Sequence, residues 1–358
     1  MMRYSSALLL MAGFLAAQET TPRWIPLADS KFEVAGLPWF RENKGEFWRL
    51  PVRSKDAFPP AVWNLAIDPT GGRIRFRTNS AMVAVRLEWP HAPGMRNMHF
   101  FGQSGVDLYV GNTYWSTATP DKDAAPGKVY EHVFFRNQAG TMRDITIYLS
   151  LYSPVKLLAI GLDASAAIEP ARSFAMAKPV IFYGTSITQG GCASRPGMSY
   201  QAILGRRLNI DHVNLGFSGN GRGEAALARA VAEIDAAAYV LDFAQNNGSV
   251  DSLAQAYDPF IAILREQHPE TEILAITPIY AANEAAGNSR NEQMRALIRK
   301  VVSQRIGAGD RHLRLVEGPD LLGPSRVDGL VDGTHPNDLG FQWMADGLAE
   351  RLRKMLGI

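Results

Sequence analysis

Hydrophobic and polar residues follow two rhythms along this chain, and the change falls near residue 170. Before it, Val83, Val85, Leu87 and Trp89 alternate with Ala84, Arg86 and Glu88. Ile74 and Phe76 alternate with Arg73, Arg75 and Arg77, and Ile145, Ile147, Leu149 and Leu151 with Thr146, Tyr148 and Ser150. A period of two predicts strands that bury one face. Turn signals separate them at Asp68-Pro69-Thr70-Gly71-Gly72, Gly111-Asn112 and Thr119-Pro120-Asp121. Short strands without clear amphipathic helices predict a β-sandwich of jelly-roll type over residues 20–168.

Ile168-Glu169-Pro170-Ala171-Arg172 reads as a linker, and strand–helix alternation follows it. Pro179–Tyr183, His212–Leu215, Tyr239–Phe243, Glu272–Ile276 and Leu313–Val316 are short apolar runs suited to parallel strands buried on both faces. Between them, helical patterns cover Tyr200–Leu208, Glu224–Ala237, Asp258–Gln267 and Glu292–Gln304. A last helix from about Asn337 places Met344, Leu348, Leu352 and Met355 on one stripe. The second region, residues 175–358, is therefore expected to be a three-layer α/β domain with five parallel strands.

Composition narrows the function classes. Against 37 basic residues stand 35 acidic ones, a net charge of +2, with no basic stripe for nucleic acid and no acidic tail. Met1-Met2-Arg3, an apolar run from Ala7 to Ala16, and the small Ala17 before Gln18 read as a signal peptide over residues 1–17. That run is shorter than the ~20 residues a membrane span needs, so a periplasmic or secreted protein without a membrane span is expected. The single cysteine, Cys192, excludes an intramolecular disulfide and reads as a small buried thiol rather than a nucleophile.

Six of the seven tryptophans (Trp24, Trp39, Trp48, Trp63, Trp89 and Trp115) precede the linker. They suit either a sandwich core or flat faces for sugar rings, with Trp115 beside Tyr114 the best exposed candidate. His99 and Arg195 are further candidates for a substrate cleft, though ordinary surface or core accounts for all three.

The chemistry collects at strand ends, where open α/β sheets carry their sites. The first strand ends in Gly184-Thr185-Ser186, the second in Gly216-Phe217-Ser218-Gly219-Asn220-Gly221, the third in Ala244-Gln245-Asn246-Asn247-Gly248. Asp332-Gly333-Thr334-His335 follows the fifth. A serine is a weak nucleophile until a base takes its proton, and a histidine base needs an acid partner to hold its tautomer. Ser186, Asp332 and His335 thus form a candidate triad in the chain order Ser…Asp…His. A glycine-rich turn and carboxamides at the same edge suit an oxyanion. None of the seven histidines stands in an HxH or HExxH pair, so no zinc site and no cofactor is expected.

At these residues the chain resembles the GDSL/SGNH hydrolase superfamily over about residues 178–355. Gly184-Thr185-Ser186 matches its Gly-Asp-Ser block, and Ser218-Gly219-Asn220 its oxyanion glycine block. Asn246 matches the asparagine of Gly-x-Asn-Asp, and Asp332, His335 and Pro336 match Asp-x-x-His-Pro. The resemblance implies a flavodoxin-like α/β/α fold, a catalytic triad of Ser186, Asp332 and His335, and an oxyanion hole of Ser186, Gly219 and Asn246. Thr185, Ala244 and Asn247 depart from the pattern, and Asn247 is the fallback for the carboxamide. The string Gly184–Gly197 resembles a secreted bacterial subgroup with an N-terminal β-sandwich.

The expected activity is that of a secreted serine esterase removing small acyl groups, such as acetyl, from carbohydrate. An acyltransferase with the same triad is one alternative. A carbohydrate-binding protein with an inactive hydrolase domain is the other. The acyl group, the alcohol and the oligomeric state stay open at this point.

Overall fold

A computed structural model describes residues 21–29 and 31–358; the expected signal peptide at 1–17 lies outside the described residues. The alternating segments form ten strands: β1 (Arg23–Pro26), β2 (Glu33–Ala35), β3 (Arg73–Thr78), β4 (Val83–Glu88), β5 (Val106–Val110), β6 (Thr113–Ala118), β7 (Val129–Phe135), β8 (Arg143–Tyr148), β9 (Lys156–Leu162) and β10 (Ile168–Glu169). They build two antiparallel sheets, β1-β9-β4-β7 and β10-β3-β8-β5-β6, with β2 also paired to β3. Ile74, Phe76, Val106, Leu108, Ile145 and Ile147 from one sheet meet Val83, Val85, Leu87, Leu157 and Ile160 from the other in one core. Alternation produced this result because each strand has one face against that core.

Two features differ from the sequence expectation. Residues 168–169 are no free linker: Ile168 and Glu169 pair with Thr78 and Arg77. The first region also carries helices α1 (Pro60–Ala66) and α2 (Phe100–Ser104). Trp39, Leu50, Phe58, Val62, Trp63 and Ala66 pack into the core of the second region rather than that of the sandwich. These tryptophans cement the two halves. Trp89 is sandwich core, 1% exposed.

Beyond residue 175, five strands form one parallel sheet in the order β12-β11-β13-β14-β15: β11 (Val180–Gly184), β12 (His212–Gly216), β13 (Ala238–Asp242), β14 (Glu272–Ile276) and β15 (Leu313–Val316). Every residue of β11, β12 and β13 is buried, as expected of strands covered on both sides. The helices are α3 (Ser186–Gln189), α4 (Tyr200–Leu208), α5 (Ala225–Ala232), α6 (Val250–Gln267), α7 (Arg290–Gly307), α8 (Gly318–Leu321) and α9 (Asp338–Leu356). One face of the sheet is packed by α5, α6 and α7, the other by α4 and α9. This is the expected flavodoxin-like α/β/α arrangement.

Helix α6 begins eight residues before the sequence suggested. Pro259 reads as a first-turn residue, where a missing N–H costs nothing, yet it lies inside the helix. A reciprocal cap at Ser249 and Ser252 starts α6 instead, each hydroxyl accepting the other's backbone N–H at 3.1 Å. Among the described residues no helix is long and apolar enough to cross a membrane.

Candidate active site

The first loop is built by close approach. A Cβ at Gly184 would stand 2.1 Å from Thr188 Oγ1 and 2.4 Å from the Asp242 carbonyl, so only glycine lets β11 turn there. Thr185, which stands where the resembled family has aspartate, caps α3 by accepting from Ile187 N at 3.2 Å. A threonine oxygen serves as well as a carboxylate for that purpose. Ser186 opens the helix and is 9% exposed.

Some 149 residues later in the chain, His335 comes to the same point. Its Nε2 lies 2.9 Å from Ser186 Oγ. Its Nδ1 lies 2.8 Å from Asp332 Oδ2 and 3.1 Å from Oδ1. An ionised carboxylate can only accept, so Nδ1 carries the proton and Nε2 accepts from the serine hydroxyl. The Asp332–His335 turn is closed by Val331 N donating to the His335 carbonyl at 2.8 Å. Asp332 Oδ1 accepts the backbone N–H groups of His335 (2.9 Å) and Thr334 (3.1 Å).

Partial burial opposes a charge on Asp332. The His335 N–H, the His335 ring and the Asn97 amide outweigh it and hold the carboxyl well below the usual range. Asp332 is therefore an anion at neutral pH.

The expected oxyanion side is the turn after β12. Ser218 N donates to Gln189 Oε1 at 2.9 Å, and the N–H groups of Asn220 and Gly221 both turn back to the Phe217 carbonyl. Gly219, at φ +67, is the residue of this turn whose N–H finds no acceptor among the described residues. A free backbone donor is what a developing oxyanion needs.

Asn246 reaches this turn, its Nδ2 3.0 Å from the Phe217 carbonyl and 3.4 Å from that of Gly221. Asn247 is buried and donates to the Phe243 carbonyl of its own loop. Of the two carboxamides, Asn246 is the one at the turn.

Cys192 lies close by: its sulfur, the Asp332 carboxylate and a His335 nitrogen fall within 4.8 Å of one another. Burial first, and then the Asp332 charge, push the thiol up to about 12. It stays a neutral thiol rather than a thiolate ligand or nucleophile, while the imidazole and carboxylate hold each other.

The other candidates separate. His99 caps α2, accepting from Phe101 N, and lines a cleft of about 490 Å³ with Met95, Asn97, Phe100 and Val331. Trp115, on β6, donates to the Phe134 carbonyl of β7 and packs edge-on against Phe135. Arg195 is committed to the Tyr109 hydroxyl (2.5 Å) and to Asp107 (3.3 Å), and it lies over the Tyr114 ring. Asp107 is fully buried and also accepts from Gly197 N at 2.8 Å. The string Gly105-Val106-Asp107-Leu108-Tyr109 is thereby a rivet between strand β5 and the loop that follows Ser186.

Three residues at the site carried no sequence signal. Tyr152 donates to the Ser186 carbonyl at 3.2 Å. Gln189 joins Ser218 N to the Leu151 carbonyl (3.2 Å) and Asp68 (3.4 Å) of the sandwich half. Asn97 donates to Asp332 Oδ2 at 3.1 Å.

Asp242, at the end of β13, has a different consequence. Its Oδ2 accepts a long bond from Thr188 Oγ1 (3.4 Å), and the Gln245 side chain is its other polar neighbour. Burial pushes the carboxyl up to about 7. The folded state then holds a proton that the unfolded chain releases near the ordinary carboxylate range. Stability falls as pH rises between that range and 7, by up to ~1.4 kcal/mol per pH unit from this group. Asp242→Asn is expected to flatten part of that slope and to raise the urea midpoint at pH 8. Equal shifts at pH 5 and pH 8 would show that Asp242 titrates normally.

Comparison with known proteins agrees with this architecture. The model of the GDSL-like lipase/acylhydrolase family matches residues 177–353, and that of the N-terminus of SGNH-hydrolase-type esterases matches residues 22–168. Among solved structures, a GDSL-like protein from Bacteroides ovatus is 30% identical with a TM-score of 0.83, over 94% of this chain and 98% of that one. A salicylyl-acyltransferase from a tetracycline biosynthetic pathway is 22% identical with a TM-score of 0.79 over the same shares. A family two carbohydrate esterase from Clostridium thermocellum, solved with cellohexaose, is 15% identical with a TM-score of 0.63, again over 94% and 98%. No curated protein matches in sequence.

Proposed function

Because this chain belongs to the GDSL-like lipase/acylhydrolase family, we propose that it is an exported esterase removing small acyl groups, acetyl above all, from carbohydrate. Action on carboxylic esters follows from the family. The acyl group, the alcohol, export and the residue roles are the proposed part. The observation that carries the roles is the continuous relay from Ser186 Oγ through His335 to Asp332, at 2.9 and 2.8 Å.

In this reading His335 Nε2 takes the hydroxyl proton as Ser186 Oγ attacks the ester carbonyl. The N–H groups of Ser186 and Gly219 receive the oxyanion, and the Asn246 amide joins them by giving up its 3.4 Å bond to the Gly221 carbonyl, each such donor being worth about 2.7–4 kcal/mol of barrier. Collapse breaks the bond to the alcohol oxygen, which leaves with the proton from His335. Water, deprotonated by His335, then releases the acid from the acyl-serine. Asp332 holds the imidazole in its tautomer and stabilises the imidazolium.

The carbohydrate part draws support from the sandwich half, from the expected leader at 1–17, and from the fold shared with carbohydrate esterases. A neighbour from Butyrivibrio proteoclasticus is described as an acetyl xylan esterase. Transfer of the acyl group to an alcohol is the second reading, favoured by the structural likeness to the salicylyl-acyltransferase.

Acetate release from acetylated xylan and from p-nitrophenyl acetate, followed with and without added alcohols, separates these readings. Hydrolysis of both substrates that dominates over transfer is the expected outcome. Hydrolysis of the small ester with no acetate from any acetylated polysaccharide would sink the carbohydrate assignment, and faster transfer than hydrolysis would favour the acyltransferase. Full-length protein recovered from the periplasm or medium should begin near Gln18; an intact leader in the cytoplasm would refute export.

A further inference from the structure

The segment from Gly94 to Phe101 leaves the sandwich as an arm and ends on the other half of the molecule. It is held in shape by one buried side chain. Gln103, 2% exposed, accepts the N–H groups of Gly94 (2.9 Å) and Met95 (2.8 Å) and donates to the carbonyls of Met95 and Met98. At its root, Trp89 Nε1 donates to the Ser104 carbonyl at 2.9 Å and Tyr152 N to the Gln103 carbonyl at 2.9 Å.

Helix α2, which follows the arm, lies flush against the loop after Ser186. A Cβ at Gly102 would come within 2.2 Å of the Ala193 carbonyl. A loop braced on three sides places its side chains reproducibly, and the one that reaches the relay is Asn97.

Asn97 Nδ2 donates to Asp332 Oδ2 at 3.1 Å, the same oxygen that receives His335 Nδ1–H at 2.8 Å. The backbone N–H groups of Thr334 and His335 occupy Oδ1. Without Asn97, the carboxylate is fixed at Oδ1 but Oδ2 is steered by the imidazole alone, so the plane of the pair is free to swing.

We propose that Asn97 is a positioning residue of the catalytic relay, contributed by the sandwich half of the chain, and that this half is therefore part of the active site. The proposal rests on the reading that Ser186, His335 and Asp332 carry out the ester chemistry. Asn97 acts in two ways. It locks the carboxylate in the plane that His335 needs, and it draws charge from Oδ2, which makes the imidazolium less favourable. The titratable groups nearest the pair are the neutral Cys192 thiol and the Tyr152 hydroxyl at the Ser186 carbonyl, while His99 and Arg96 on the arm line the cleft beside Asn97.

The test uses the full chain with p-nitrophenyl acetate as the substrate, comparing Asn97→Ala and Asn97→Asp with the parent. Asn97 is solvent-exposed, so both variants should fold with unchanged melting temperature. Asn97→Ala is expected to lower kcat roughly 5- to 30-fold, as the loss of a hydrogen bond to a charged group, with KM nearly constant. The acid limb of the kcat/KM profile should move to higher pH. Asn97→Asp keeps the shape but presents a second carboxylate to Asp332, and it should lower kcat further and move the limb further in the same direction. In an Asp332→Ala background, Asn97→Ala should change kcat less than two-fold, since its partner is gone.

An Asn97→Ala enzyme with parental kcat and pH profile, or one losing the same factor with and without Asp332, would overturn the proposal. Ser186→Ala run alongside keeps the two readings apart. Turnover that survives Ser186→Ala strikes the triad itself, whereas a dead Ser186→Ala beside a normal Asn97→Ala strikes only the role of Asn97.

Discussion

Ser186→Ala is expected to lower kcat/KM for p-nitrophenyl acetate by roughly 10⁴- to 10⁶-fold, while leaving the melting temperature unchanged. Two physical facts set that size. On the proposed mechanism the acyl-enzyme route ceases to exist, because Oγ is the atom assigned the bond to the acyl carbon. The serine is also small, 9% exposed, and makes its side-chain bond to His335 alone, so its removal opens no cavity of consequence. Residual catalysis would come from the oxyanion donors acting on water, which accounts for the floor. Stopped assays at high enzyme concentration, with intact-mass detection of an acyl adduct in the parent and none in the variant, check both halves. A variant within ten-fold of the parent would exclude Ser186 as the nucleophile.

The second large effect concerns the other two members of the relay, which should not behave alike. His335→Ala removes the base and is expected to match the loss of Ser186→Ala, and the double variant should be no worse than either single one. The two groups act in one step, so the second removal has nothing left to take. Asp332→Ala leaves a base in place but frees its tautomer and orientation, and a smaller loss of roughly 10²- to 10⁴-fold is expected.

The acid side adds a sign. The Asp332 carboxyl is held well below the usual range, so it stays charged while His335 gains its proton. Activity should therefore fall toward low pH with a slope of one, reporting a single protonation. A slope of two, or additive losses in the double variant, would break the picture of one coupled relay.

How much of this was legible depends on the distance over which each feature is decided. The alternation at Val83–Trp89 and Ile145–Leu151 named strands, because a strand that buries one face must write that face into every second residue. The apolar runs at Val180–Gly184 and Ala238–Asp242 named buried parallel strands for the same reason. Ser186, Gly219 and Asn246 could be picked out as candidates because each sits in the turn after its own strand, where short-range requirements leave glycines and caps in the sequence, and Asp332 and His335 because they stand three apart in one turn before the last helix. The choice between Asn246 and Asn247 was not readable. Neighbouring residues share a composition signal, and only the path of the loop turns one toward Phe217 and the other toward Phe243.

The helix α1 region failed for a related reason. Trp39, Trp48 and Trp63 show as aromatic positions in a mostly β segment, and nothing local says which core will take them. The structure sends Trp39 and Trp63 to the hydrolase core with Trp48 against it, and stacks the Trp48 and Trp63 rings edge to face at 5.6 Å. A tryptophan contributes burial wherever it lands, so its destination is a property of chain topology rather than of its neighbours.

Taken alone, the amino-acid order determined the two regions, the parallel sheet, the serine-first order of the candidate relay and the kind of chemistry. These rest on periodicity and on turns, which are settled over a few residues. Tertiary structure alone decided that the sandwich is not an appendage. Asn97 on Asp332, Gln189 on Leu151, and Asp107 under Arg195 join residues 38 to 235 positions apart. Such contacts leave no periodic trace. Each needs only one polar side chain at one place, and that place exists only after both halves have folded and met.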